Sequence, residues 1–146
     1  MIRKIITLLA FFTITAYAES NNSGAIVIKD LWSSPVSALG QDRPIYMTIE
    51  NKGATADKLI AIRSSFAEKG EIHQEVENPE GDMVIAVGSV IIGARSTVEF
   101  SARKGQYVVL HKIKKLFSEG DNVPVTFVFE KAGEIKVNVS IHARTP

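Results

Sequence analysis

Short apolar stretches recur along the chain with turn residues between them, and none carries a long helical period. The last is the clearest, because Ile135, Val137, Val139 and Ile141 alternate with Lys136, Asn138, Ser140 and His142. A period of two places one set on a core face and the other in water, which is a β-strand. The same reading predicts strands over residues 25–29, 45–50, 58–63, 71–76, 83–87, 97–101, 107–113, 123–130 and 134–142. Asn51-Lys52-Gly53, Asn78-Pro79-Glu80-Gly81, Glu119-Gly120-Asp121-Asn122 and Lys131-Ala132-Gly133 supply turns, the last joining two strands as a hairpin. Residues 64–69 have room for one turn of helix. Many short strands at near-regular spacing predict an all-β fold, an antiparallel sandwich with Greek-key connections. No internal repeat or second domain interrupts it, so residues 19–146 are read as one domain.

The first 18 residues stand outside that pattern. Met1-Ile2-Arg3-Lys4 is basic, Ile5 to Tyr17 is apolar, and Ala16-Tyr17-Ala18 fits a small-residue cleavage site, the three parts of a secretory signal. The run is shorter than the ~20 apolar residues of a membrane span. Cleavage after Ala18 takes Arg3 and Lys4 with it and leaves a near-neutral exported chain with no membrane anchor, assigned to the periplasm.

Composition narrows the chemistry. Hydrophobic residues make up 45% and charged residues 23%, enough apolar surface to bury a core and too much for a disordered chain. With 17 basic against 16 acidic residues and no basic block, nucleic acid is excluded as a partner. There is no cysteine, which removes disulfides, thiolate metal sites and cysteine nucleophiles. No G-x-S-x-G elbow or Gly-rich phosphate loop occurs. Glu71, Glu75 and Glu77 cluster, but at the spacing of solvated strand residues. The chain is therefore read as a non-enzyme.

What remains is metal chemistry without thiols. Cu(I) is held by thioether and imidazole, and beyond the signal the chain has Met47, Met83, His73, His111 and His142. On a strand over 71–76, Glu71, His73 and Glu75 share one face and Ile72, Gln74 and Val76 the other. Each candidate also has an ordinary explanation: a surface imidazole for His73, core filling for Met83, a solvated strand end for His111 and a surface position near the terminus for His142.

Several segments together resemble the periplasmic copper chaperones called PCu(A)C, from about Ile26 to Ile141. Ile28-Lys29-Asp30-Leu31-Trp32-Ser33-Ser34-Pro35 is similar to that family's opening strand, and Tyr46-Met47-Thr48-Ile49-Glu50-Asn51-Lys52-Gly53, followed by Asp57-Lys58-Leu59, to its second strand and turn. Glu71-Ile72-His73 matches the region of its first copper ligand. The stretches from Glu119 to Phe127 and from Phe129 to Ile135 look like its closing hairpin. The resemblance implies a cupredoxin-like sandwich that holds Cu(I) for delivery to the CuA site of cytochrome oxidase, with oxidase assembly proteins as partners.

The family's metal motif, started at His73, falls on Gln74, Ile85, Tyr107 and Val109, so only His73 keeps a ligand. Met83 lies two residues before Ile85 and His111 two after Val109, each on the strand face of the position it replaces. The metal site expected from this comparison is His73, Met83 and His111. The rival expectation is a paralogue that kept the sandwich, lost the copper and serves as a protein-interaction module. An unrelated sandwich that binds glycans accounts for the strands but not for the family-like segments.

Overall fold

Alternating burial along the chain is realised as a run of strands, which we describe from a computed structural model covering residues 22–143; the export signal read over residues 1–18 lies outside the described residues. In chain order the strands are β1 (Asn22–Ser23), β2 (Ile26–Ser33), β3 (Arg43–Asn51), β4 (Asp57–Arg63), β5 (Lys69–Val76), β6 (Met83–Val87), β7 (Val90–Ile92), β8 (Ser96–Phe100), β9 (Gln106–His111), β10 (Asn122–Phe129) and β11 (Gly133–Ile141). A single 3-10 turn, Ala102–Lys104, precedes β9 and is the only helical element among the described residues. Residues 64–69 do not form the expected helical turn; Ser64 Oγ accepts the Phe66 N–H and shapes a tight turn into β5 instead.

The predicted hairpin is present, with β10 and β11 antiparallel from Asn122↔Ser140 to Phe129↔Gly133. Gly133 turns the chain at φ 76, a backbone region that side-chain-bearing residues disfavour. Ile135, Val137, Val139 and Ile141 are all buried, as their alternation requires. The strands run in the order β6-β5-β9-β3-β2-β11-β10-β4-β7, with β1 on β2 and β8 on β3. All pairs are antiparallel except β2 with β11, parallel at Ser140↔Trp32 and Ile141↔Ser33.

One strand serves both parts of this folded sheet. The first residues of β3, Arg43 to Ile45, pair with β9, whereas Met47 to Asn51 pair with β8. The sheet thereby folds into an all-β sandwich around Phe100, Phe127, Phe129, Ile49, Leu59 and Ile92, each almost wholly shielded from water. Two strands that share no ladder, β4 and β5, meet at Gly70. A Cβ there would lie 2.8 Å from both the Cβ and the carbonyl oxygen of Ile62, so only glycine permits the approach. Asp57 closes one end: its Oδ1 accepts the N–H groups of Lys58 and Lys131, and its Oδ2 that of Ala132.

Candidate metal site

The site grows from the pairing of β5 with β9. Lys69 faces His111, Glu71 faces Val109, and His73 faces Tyr107. Directly opposed residues project to the same side of a sheet. Ile72, Val108 and Leu110 therefore enter the core, while Lys69, Glu71, His73, Tyr107, Val109 and His111 share the outer face. Val109 is buried beneath them and gives the cluster an apolar floor. Aromatic rings continue from that floor across the sheet, with Trp32 and Tyr46 4.8 Å apart, Tyr46 and Tyr107 6.4 Å, and Tyr107 and His73 6.0 Å.

At the centre the rings of His73 and His111 are 5.5 Å apart. Glu71 stands between them, its Oε2 3.1 Å from His73 Nε2 and 2.9 Å from His111 Nε2. Lys69 Nζ binds the other carboxylate oxygen, Oε1, at 2.5 Å. That ammonium, with His73, holds the Glu71 carboxyl down at about 2, so it is ionised at any physiological pH. The side chains of His73, His111 and Glu71 keep 20%, 17% and 29% of their surface, so the cluster is reachable from solvent yet partly shielded.

Asp42 fixes the second histidine. Its Oδ1 accepts the Lys112 N–H at 2.8 Å and its Oδ2 lies 2.9 Å from His111 Nδ1. The backbone donor of Lys112 and then His111 draw the Asp42 carboxyl below its ordinary range. An ionised carboxylate only accepts, so Nδ1 of His111 carries a proton and, in neutral imidazole, Nε2 keeps its lone pair. That buried Nε2 has no hydrogen-bond partner, because its close approach to Glu71 is off the line a hydrogen bond needs. Two imidazoles and a carboxylate with donor atoms all within 4.8 Å, one of them an orphaned buried nitrogen, fit a metal ion.

The structure thus brings His73 and His111 together and sets Met83 apart. In the β5–β6 pair His73 faces Ala86, Gln74 faces Ile85 and Val76 faces Met83. Met83 consequently lies on the Gln74 side of the sheet, opposite the face that carries His73. It is exposed, and its sulfur takes the Asn78 amide at 3.6 Å. Met47 is buried in the core, and the His142 N–H pairs with the Ser33 carbonyl away from the cluster. Of the remaining motif positions, Tyr107 faces His73 and Val109 faces Glu71. Two contributors were not among the ligands expected from sequence. Glu71 had a signal, its shared strand face with His73; Asp42 had none, standing 69 residues from its partner.

A groove of about 670 Å³ lies elsewhere, between β4, β5 and β10. Of its cations, Arg63 and Lys69 are tied to Glu134 and Glu71, and Lys136 also lines it. Among the described residues no helix is long and apolar enough to cross a membrane.

A sequence model of the LpqE-like lipoprotein family matches residues 26–141. No curated protein matches the chain. Among solved structures, the apo PCuAC domain from PmoF1 is 26% identical with a TM-score of 0.72, over 84% of this chain and 98% of that one. The copper-bound PCuAC domain from PmoF2 is 24% identical with a TM-score of 0.71, over 84% and 97%. Apo-DR1885 from Deinococcus radiodurans is 19% identical with a TM-score of 0.63, over 99% and 96%.

Proposed function

The chain belongs to the LpqE-like family, and on that premise we propose that it is a copper-handling protein of the periplasm that takes up copper at His73 and His111. One observation carries the reading: on a fold shared with PCuAC domains, the outer sheet face draws two histidines and an ionised glutamate into one cluster. Two imidazoles and a carboxylate offer donor atoms for binding and ligand exchange, which is the chemistry this reading uses. Partial exposure suits a carrier, because an incoming donor from a recipient reaches the metal without the sandwich opening. Delivery towards the CuA site of cytochrome oxidase, through oxidase assembly proteins, is the route we propose for the cargo.

A specific observation favours a second reading. Four of the five positions of the PCu(A)C motif hold Gln74, Ile85, Tyr107 and Val109, as expected of a paralogue that has given up copper for protein interaction. Copper titration separates the two, read by equilibrium dialysis and metal analysis on the purified chain. One copper per chain, lost in His73→Ala and in His111→Ala, supports the carrier. Retention no greater than that of an unrelated histidine-containing protein sinks it in favour of the metal-free module.

A further inference from the structure

We infer that the copper this cluster is built to hold is cupric, Cu(II), taken by two imidazole nitrogens and one carboxylate oxygen, and not the cuprous ion of a thioether site. The inference rests on the copper reading above and goes past it to the oxidation state of the cargo.

Donor chemistry carries the argument. Thioethers favour Cu(I), whereas mixed nitrogen and oxygen sets of tetragonal shape favour Cu(II). Both methionines of the described residues are accounted for, and neither is at the site: Met47 is in the core, and Met83 is on the opposite side of the β5–β6 hairpin from His73. Moving Met83 to the histidines demands a register slip of one residue between β5 and β6, which turns every side chain of β6 to the other face. The third donor is instead Glu71, a hard carboxylate oxygen: Lys69 binds Oε1 from its far side and leaves Oε2 for the metal. A carboxylate adds charge attraction for a dication and little for a soft monocation.

The outer shell agrees with the inner one. Asp42 on His111 Nδ1 is the carboxylate–histidine pairing that fixes a ring and leaves Nε2 to coordinate. Within the cluster His111 Nε2 and Glu71 Oε2 face each other at 2.9 Å without a hydrogen bond. Two electron-rich atoms at that distance repel until a cation lies between them. Three protein donors leave the remaining equatorial position open to water or to a ligand from the recipient.

The test loads the purified chain in two ways. Cu(II) is added in a weakly coordinating buffer and read by electron paramagnetic resonance; Cu(I) is added anaerobically under reductant against bicinchoninate. We expect one Cu(II) per chain with an axial spectrum split by two nitrogens, while bicinchoninate removes Cu(I). His73→Ala and His111→Ala should each abolish the two-nitrogen pattern, Glu71→Gln should weaken Cu(II) binding at least about tenfold, and Met83→Ala should change nothing. Unfolding midpoints, with His73→Gln and His111→Gln as gentler variants, confirm that the variants fold. Cu(I) retained against the chelator and weakened by Met83→Ala, with Cu(II) washing off, overturns the cupric assignment but leaves the copper function intact. Failure to retain either ion overturns both.

Discussion

On the proposed copper reading, Asp42 is a control point for affinity although it is not one of the donor groups. Its two oxygens serve two donors, the Lys112 N–H and His111 Nδ1. Asparagine offers one acceptor in place of two. If its oxygen stays on Lys112, whose left-handed backbone (φ 50) depends on that anchor, its amide group faces Nδ1 and donates to it. The ring proton is then driven to Nε2, the atom that faces Glu71 and His73, and a metal must displace it. Outer-shell changes of this kind cost about 10–100-fold in metal affinity, or about 1.4–2.8 kcal/mol at 1.4 kcal/mol per tenfold. The fold should lose far less, because Asp42 is about half exposed and a solvent-screened contact is worth roughly 0–1 kcal/mol. Competitive copper titration of Asp42→Asn beside its urea unfolding curve separates the two quantities. An affinity within about twofold of the unsubstituted chain, below the tenfold floor of that range, would refute the orienting role of Asp42. A loss matched by an equal loss of stability would do the same.

Three further outcomes follow from the fold. Phe127→Ala empties the centre of the core and should cost about 3–5 kcal/mol, seen as a lower urea midpoint at an unchanged slope. Gly70→Ala drives a Cβ to 2.8 Å from Ile62 and should cost about 1–3 kcal/mol; an unaltered melting curve would mean that β4 and β5 part freely. Burial pushes the Asp57 carboxyl up, but the N–H groups of Lys131, Ala132 and Lys58 outweigh it and leave it below the ordinary 3.8. A carboxyl lowered on folding stabilises above its unfolded value and loses that contribution on acidification. The stability advantage over Asp57→Asn should therefore be full above pH 3.8 and shrink as the pH falls below it, followed by unfolding titrations at successive pH values.

Local periodicity made most of this architecture legible. β11 and its hairpin were plain because strict alternation and a Lys-Ala-Gly turn agree, and the position of His73 on the polar face of β5 followed from the same period. β7 was not, since Val90–Ile92 is three residues long and carries no alternation to read. The histidines illustrate the boundary best. Parity along one strand tells which side chains share a face, so Glu71 with His73 was within reach. Which face Met83 joins depends on how β6 aligns with β5, and that register is set across the 77–82 connection, where one residue more or fewer reverses the answer. Asp42 reaches His111 only once β3 lies beside β9, a contact no window of sequence contains.

The row of rings beside the site has an optical consequence. Trp32 is the only tryptophan in the chain, so its emission is the sole indole signal of the whole protein. Successive ring-to-ring steps of 4.8, 6.4 and 6.0 Å lead from it through Tyr46 and Tyr107 to His73. A paramagnetic d9 ion arriving at that histidine is an efficient quencher and a closed-shell d10 ion a poor one. On the proposed copper reading, loss of Trp32 emission on adding copper would therefore mark a bound cupric ion, with no added dye.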